Sequence, residues 1–159
     1  MLPLFKLVLG PILLIQARRL RRTALRLPEA AGPRCGSEGV EDTRHPALRI
    51  LIVGDSSAAG VGVDDQTQAL AQPIAKRLAS KLNRPVTWQL VAKSGVNTGE
   101  SLELLRQSEL GPADFLVVAL GTNDVTSQRA PGQFLQDYRR LVEEVGFVAV
   151  RIERRTRSI

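Results

Sequence analysis

The chain has 159 residues, 43% of them hydrophobic, which is enough for one folded domain and excludes a disordered chain. Its formal net charge is +6, but only 4% of its residues are aromatic and no nucleic-acid-binding motif is present, so we expect no nucleic-acid partner. The single cysteine, Cys35, excludes an intrachain disulfide and a CxxC metal or redox site.

Residues 1–26 combine an apolar segment with a cluster of arginines. Residues 1–15 are apolar apart from Lys6 and contain two prolines, and five arginines follow between positions 18 and 26. A bilayer span takes about 20 apolar residues, and a secretory signal would carry its positive charge before the apolar part. We therefore expect a membrane anchor or interfacial helix, with the arginines on anionic headgroups and the domain on the cytoplasmic side. The alternative is an amphipathic extension folded onto a cytoplasmic domain.

The next segment, residues 27–46, is rich in Pro, Gly, Glu and Ser and shows no apolar period. These features predict a linker. The folded domain is therefore predicted to cover residues 47–159.

Apolar strands alternate with helical segments within this domain. Strands are predicted at about 48–53, 86–91 and 114–120, and residues 146–152 could form a fourth. Strands and helices in turn, joined by short connections, imply right-handed crossovers and a parallel sheet between two helix layers. The predicted fold class is therefore a three-layer α/β/α sandwich.

Three helices are predicted between and after these strands. The first covers residues 66–82, and Pro73 must kink it or mark its effective start. In the second, Asn97 and Glu100 have the spacing of a capping box. The third begins at Pro131 and carries apolar residues at helical spacing, which are Phe134, Tyr138, Leu141 and Val145.

A short polar motif follows each of the first three strands. The motifs are Gly-Asp-Ser at 54–56, Lys-Ser-Gly-Val-Asn at 93–97 and Gly-Thr-Asn-Asp at 121–124. Taken singly, Ser56, Gly95 and Asn123 have ordinary explanations as a capping serine, a turn glycine and a left-handed turn residue. The carboxyl ends of parallel strands share one edge, however, so these three residues are predicted to face one small volume.

As an ordered set, the motifs resemble those of the SGNH, or GDSL, hydrolase family over about residues 48–124. The resemblance implies a flavodoxin-like parallel sheet and cleavage of ester bonds in small-molecule or lipid-like substrates through an acyl-enzyme. It implies that Ser56 is the nucleophile and that the N–H groups of Ser56 and Gly95, with the Asn123 amide, form the oxyanion hole. No metal or organic cofactor is implied. Asp55 and Asp124 are interpreted as turn-stabilising carboxylates, and Ser57 as a capping hydroxyl.

The family's fourth motif, Asp-x-x-His near the C-terminus, has no counterpart at the end of this sequence. The letters do occur at 42–45, but His45 enters the first strand at its amino end, about 20 Å from the edge that carries Ser56. We therefore expect a C-terminally truncated or frame-shifted member with an incomplete sheet, impaired catalysis and a tendency to self-associate. The alternative function is a non-catalytic, membrane-tethered ligand-binding module or a truncated pseudo-enzyme.

Overall fold

The structure is a computed structural model that describes residues 9, 10, 12, 13, 15, 16, 19, 27–40 and 45–156. The predicted anchor over residues 1–26 thus lies largely outside the described residues. Those of its residues that are described are helical, and four large apolar side chains among them are exposed: Leu9, Ile12, Leu13 and Ile15. Within the described part of the chain, no helix combines the length and the hydropathy that a bilayer crossing requires.

The described domain is one four-stranded sheet with helices on both faces. In chain order the elements are β1 (Cys35–Glu38), β2 (Leu48–Gly54), α1 (Ala71–Leu82), β3 (Val86–Ala92), α2 (Thr98–Arg106), β4 (Phe115–Ala119), α3 (Thr122–Thr126) and α4 (Pro131–Thr156). The strand order is β1-β3-β2-β4. Strand β2 is parallel to both β3 and β4, whereas β1 is antiparallel to β3. The predicted α/β fold is confirmed, with an antiparallel edge strand added to it.

The central strand β2 divides the interior into two apolar cores. Ile50 and Ile52 pack in a core with α1, whereas Leu51 and Val53 pack in a second core with α2 and α4. All four side chains are at most 3% exposed. Side chains alternate across a strand, so a strand covered on both faces is apolar throughout. This is why the continuous apolar run located β2 correctly.

Helix α1 packs against the sheet through its alanines. It begins at Ala71, and Pro73 lies in its first turn, where a missing N–H breaks no helical hydrogen bond. Ala71, Ala75 and Ala79 are buried, whereas Leu82 is half exposed. The larger side chains Ile74 and Leu78 are only partly buried against the same core. The predicted start at Pro73 is therefore close to the observed one, and the buried face of the helix is centred on small residues.

Residues 27–40 form part of the folded domain, although their composition predicted a linker. Strand β1 pairs with β3 along its whole length. The Ala30 N–H donates to the Ala59 carbonyl at 3.1 Å, and the buried Gln66 side-chain amide donates to the carbonyls of both alanines. A four-residue edge strand with mostly exposed side chains has no apolar alternation. Composition therefore did not reveal it.

The possible fourth strand at residues 146–152 is not formed, because helix α4 continues through it. The helix begins at Pro131 as predicted. Leu141 and Val145 are buried in the second core, and α4 packs against α2. One continuous helix satisfies every internal backbone hydrogen bond, whereas a strand here would need a partner strand.

We predict that Leu141→Ala lowers the free energy of unfolding by about 2–5 kcal/mol, because it leaves a cavity in the second core. Leu141 is fully buried, whereas the neighbouring Val142 is 44% exposed. Val142→Ala is therefore the matched control, with an expected change within about 0.5 kcal/mol. Urea unfolding followed by circular dichroism measures both values. Equal losses in the two variants would contradict the packing of α4.

Candidate active site

The loops that carry the three motifs start side by side at the carboxyl ends of the strands. Gly54, the last residue of β2, is in register with Ala92 on β3 and with Ala119 on β4. The Asp55 N–H donates to the Ala119 carbonyl at 3.1 Å, and the Lys93 N–H donates to the Gly54 carbonyl at 3.3 Å. The hydrogen-bonded ladder thus continues one residue into the loops, which fixes their starting points.

This edge of the sheet carries all three predicted site residues. Ser56 lies in the turn after β2, Gly95 in the loop after β3, and Asn123 in the first turn of α3, directly after β4. Neighbouring strands are about 4.8 Å apart. The structure therefore places Ser56, Gly95 and Asn123 on adjacent loops of one sheet edge, as the strand order requires.

The position of Ser56 depends on the absence of a side chain at Gly54. A Cβ at Gly54 would lie 2.4 Å from the Ala58 Cβ and 3.0 Å from the Ala119 carbonyl oxygen. Real Cβ atoms do not come so close, so this residue must be glycine for the turn to fold back across the end of β2. The turn closes through a hydrogen bond from the Val61 N–H to the Ser56 carbonyl at 3.0 Å.

The buried carboxylate of Asp55 stabilises the same turn. Its Oδ1 accepts hydrogen bonds from the Ser57 N–H at 3.1 Å and from the Ser57 hydroxyl at 3.0 Å. Asp55 and Ser57 thus have the structural roles that the sequence indicated. In the described part of the chain the Ser56 hydroxyl forms no hydrogen bond, and its residue is only half buried. Of the two serine hydroxyls in this turn, that of Ser57 is thus engaged by Asp55, whereas that of Ser56 has no hydrogen-bond partner among the described residues.

Gly95 is a glycine because of its backbone conformation. Its φ is +85°, a left-handed value that residues with a side chain rarely adopt. No heavy atom lies within 4 Å of the position that a Cβ would take, so space is not the constraint. The loop is held one residue earlier, where the Ser94 N–H donates to the Glu29 carboxylate at 2.6 Å. Glu29 is a residue of this edge that the sequence did not predict.

Asn123 connects the loops after β3 and β4. Its side-chain Nδ2 donates to the Val96 carbonyl at 2.8 Å, next to Gly95. An amide nitrogen carries two hydrogens. One of them is donated to the Val96 carbonyl, and the second has no acceptor among the described residues. The structure thus brings Asn123 and the loop that contains Gly95 together.

Directly after Asn123, the Asp124 carboxylate is buried among three hydrogen-bond donors. Its Oδ2 accepts from the Thr98 N–H at 3.0 Å and from the Thr98 hydroxyl at 2.7 Å, and its Oδ1 accepts from Arg129 at 2.7 Å. Burial by itself raises the pKa of Asp124, but the hydrogen bonds from Thr98 and Arg129 outweigh it and hold the pKa below its ordinary value of 3.8. Asp124 is therefore ionised in the folded protein at neutral pH.

Arg129 extends this network to two helices. Its guanidinium donates to the Asp137 carboxylate of α4 at 2.6 Å and to the Asn97 side chain at 3.1 Å. Asn97 caps α2, and the predicted capping box of Asn97 and Glu100 is confirmed. The hydrogen bonds to Asp137 and to Asp124 raise the pKa of Arg129. No local pattern predicts these contacts, because Thr98 and Asp124 are 26 residues apart in the sequence.

His45 lies at the opposite edge of the sheet. The carbonyl of its neighbour Pro46 accepts a hydrogen bond from Arg84, which precedes the amino end of β3. The seven residues of β2 separate this edge from Ser56 by about 23 Å, at about 3.3 Å per residue. A hydrogen bond between the His45 imidazole and the Ser56 hydroxyl is therefore impossible in this structure. In residues 27–40 and 45–146, no cluster of His, Cys, Asp and Glu could hold a metal ion.

Comparisons with known proteins identify a family model and several similar structures. The model described as the GDSL-like lipase/acylhydrolase family matches residues 52–152. The crystal structure of TesA shares 25% sequence identity with this chain and superposes with a TM-score of 0.54. The match covers 64% of this chain and 56% of the TesA chain. AlinE4, described as an SGNH-hydrolase family esterase, shares 24% sequence identity with this chain and superposes with a TM-score of 0.55. The match covers 64% of this chain and 55% of the AlinE4 chain. The chain thus spans little more than half the length of these structures. No curated protein sequence matches it significantly.

We predict that Asp124→Asn weakens the acid dependence of stability. The folded-state pKa of Asp124 lies below the unfolded value of about 3.8, so its contribution is complete above that pH and is lost as the pH falls through the folded-state pKa. The variant is expected to be less stable by about 1–3 kcal/mol at neutral pH. This difference is expected to shrink below about pH 4, as the Asp124 carboxylate takes up a proton first in the unfolded chain and then, at lower pH, in the folded protein.

The measurement is the free energy of urea unfolding as a function of pH. Asp64→Asn is the control, because Asp64 is an exposed carboxylate outside the network, and its curve is expected to follow the wild type. Parallel curves for wild type and Asp124→Asn across the acid range would contradict the prediction.

Proposed function

Because the chain belongs to the GDSL-like lipase/acylhydrolase family, we propose that it is an ester hydrolase of the SGNH type with Ser56 as its nucleophile. The observation that carries this proposal is the hydrogen bond from Asn123 to the Val96 carbonyl, which links two of the three motif loops at the edge where Ser56 lies. The substrate class is a small-molecule or lipid-like ester. No metal or organic cofactor takes part in the proposed reaction.

The geometry supports a reaction through a tetrahedral intermediate. The Ser56 Oγ attacks the acyl carbon, and the carbonyl oxygen gains negative charge. The N–H groups of Ser56 and Gly95 and the second hydrogen of the Asn123 amide stabilise that charge. The alcohol leaves with a proton, and water then hydrolyses the acyl-enzyme.

Turnover by these 159 residues is proposed to be slow. Ser56 must lose its proton to attack, and the single histidine of the sequence, His45, precedes β2 at the opposite edge of the sheet. In serine hydrolases, losing a triad member removes about 10⁶ in turnover and leaves about 10³–10⁴ over water, which comes from the oxyanion hole and binding. The same observation favours the second candidate function, a module that binds an acyl or glycan ligand without cleaving it.

We predict that a fluorophosphonate probe labels Ser56 slowly and that Ser56→Ala abolishes the labelling. Ser57→Ala is the matched control, because the adjacent hydroxyl is bonded to Asp55, and it is expected to keep the label. Asn123→Ala is expected to lower the labelling rate by about 10²–10³ through the loss of an oxyanion donor. His45→Ala is expected to leave the rate unchanged.

Intact-mass and peptide mass spectrometry measure the extent and the position of labelling. A folded protein that remains unlabelled at high probe concentration would favour the binding module. Labelling at a residue other than Ser56 would contradict the proposed nucleophile.

We further propose that residues 1–26 bind an anionic membrane surface, with the domain on the cytoplasmic side. The sequence supports this with an apolar segment followed by five arginines. The exposure of Leu9, Ile12, Leu13 and Ile15 adds support, because these side chains are between 44% and 65% exposed. The alternative remains a cytoplasmic protein whose N-terminal extension lies against its own domain.

We also propose that two copies of the chain associate through β4. This strand is the last in the sheet, so within the described residues its outer edge has no partner strand. Its sequence, Phe-Leu-Val-Val-Ala, has no charge or proline, and Phe115 is 60% exposed. Unpaired N–H and C=O groups on such an edge favour pairing with a second strand.

We predict that Phe115→Lys shifts the protein from dimers or larger species towards a monomer, because a charge on an edge strand opposes strand pairing. Val40→Lys is the control, because Val40 is 86% exposed and lies beyond the end of β1, away from the β4 edge. Size-exclusion chromatography with light scattering measures the mass. A wild-type protein that elutes as a stable monomer would overturn this proposal.

A further inference from the structure

We propose that Glu29 is a positioning residue of the candidate active site. Its carboxylate holds the loop after β3 through the Ser94 N–H and thereby fixes the direction of the neighbouring Gly95 N–H. That this N–H stabilises an oxyanion rests on the proposed function. The hold of Glu29 on the loop rests on the contacts described below and is tested separately.

The Gly95 N–H is not fixed by a hydrogen bond of its own. It has no acceptor among the described residues, and the residue is exposed, with open space where a side chain would lie. Its φ of +85° is one of several conformations that glycine adopts at little cost. The direction of this N–H therefore depends on how the neighbouring peptide groups are held.

The residues on either side of Gly95 are held by side chains from two other segments. On one side, the Ser94 N–H donates to Glu29 Oε1 at 2.6 Å. On the other side, the Val96 carbonyl accepts a hydrogen bond from the Asn123 amide at 2.8 Å. Only the two peptide groups that Gly95 shares with its neighbours lie between these contacts. Loss of either contact would therefore free one end of a very short segment.

Glu29 can hold this loop because its own backbone is fixed to the loop after β2. We call residues 27–34 the entry strap. Ala30, which follows Glu29, is 7% exposed, and its N–H donates to the Ala59 carbonyl at 3.1 Å. The loop that contains Ala59 also carries Ser56. The entry strap thus connects the Ser56 loop to the loop after β3.

Arg34 balances the charge that Glu29 brings to this edge. A carboxylate beside a developing oxyanion opposes its charge unless a cation neutralises that carboxylate. The Arg34 guanidinium binds Glu29 Oε2 at 2.5 Å and donates to the carbonyl of Ala92, the last residue of β3, at 2.5 Å. Oε1 remains for the Ser94 N–H. The pair therefore supplies a strong acceptor to the loop with little net charge.

The alternative is that Glu29 only fastens the entry strap to the sheet. Glu29 precedes residues 52–152, so the match to the family model does not include it. The two roles differ in what the loss of the carboxylate changes. Fastening alone affects stability, whereas positioning an oxyanion donor affects the maximal rate of acylation and leaves binding of the probe unchanged.

The test measures fluorophosphonate labelling of Ser56 in the full chain at several probe concentrations, which separates the maximal rate from the half-saturating concentration. Glu29→Ala removes the acceptor, and Glu29→Gln keeps a neutral oxygen for the Ser94 N–H. Glu38→Ala is the matched control, because the Glu38 carboxylate accepts from Gln72 at 2.7 Å near the amino edge of the sheet. Glu38 lies in β1, which continues the entry strap, so this variant also loosens the segment by one hydrogen bond.

We expect Glu29→Ala to lower the maximal labelling rate by about 10–100-fold, since complete loss of an oxyanion donor costs about 10²–10³. The half-saturating concentration is expected to change by less than about threefold. Glu29→Gln is expected to recover most of the rate, and Glu38→Ala to label like the wild type. An unchanged rate in Glu29→Ala, an equal loss in Glu38→Ala, or no recovery in Glu29→Gln would overturn the positioning role.

Glu29→Asp decides the question if Glu29→Ala does not fold. It keeps the charge and shortens the reach of the carboxylate by one methylene group. We expect it to fold and to label more slowly than Glu29→Gln, because the Ser94 N–H loses its acceptor. A rate equal to that of the wild type would count against the contact as the cause.

Backbone NMR order parameters separate this proposal from the hydrolase function. For the Gly95 N–H we expect a rigid value of about 0.85 in the wild type and in Glu38→Ala, and a value below about 0.6 in Glu29→Ala. A rigid Gly95 N–H in Glu29→Ala would overturn the hold on the loop, whatever the labelling shows. If the wild type is not labelled, the hydrolase function fails and with it the role of Glu29 in catalysis. Loss of order in Glu29→Ala would then still support its hold on the loop.

Discussion

The site depends on three parallel strands that end at the same level, with Gly54 between Ala92 and Ala119. Because the middle strand ends in a residue without a side chain, the following turn can fold back against Ala58. A larger residue at this position would push the turn outward and displace Ser56 from the neighbouring loops. The common starting level of the three motif loops thus follows from the register of the sheet and from the missing side chain at Gly54.

The second constraint is the buried carboxylate of Asp124. Burying a charge is costly unless it is paired, and here Thr98 and Arg129 supply the donors. Asp124 directly follows Asn123, so the contacts that compensate the buried charge also fix the backbone that carries the Asn123 amide. Arg129 transmits this order to α4 through Asp137. In the proposed reaction, an Asn123 amide fixed in this way would stabilise developing negative charge better than a mobile one, because it needs no reorganisation.

The sequence predicted what is local or strongly periodic. Strands β2, β3 and β4 are mainly apolar, the α2 cap is a four-residue pattern, and Pro131 marks a helix start, so each was located correctly. The three motif residues could be assigned to one edge because the direction of parallel strands decides it.

What could not be predicted depends on contacts between distant segments. Strand β1 has few apolar residues, and its place in the sheet follows from pairing with β3, about 50 residues later. The roles of Glu29 and Arg129 arise from tertiary hydrogen bonds to Ser94 and Asp124. Residues 146–152 are apolar enough for a strand, but the helix that begins at Pro131 continues through them.

The acidic groups at the site edge hold its loops in place, and this bears on the proposed reaction. A base for Ser56 must approach from the carboxyl edge, because β2 keeps His45 at the other end of the strand. The carboxylates nearest the motifs are already engaged: Glu29 by Ser94 and Arg34, Asp55 by Ser57, and Asp124 by Thr98 and Arg129. Each of them stabilises a loop of this edge. In the proposed reaction these carboxylates would order the groups around Ser56 rather than take up its proton.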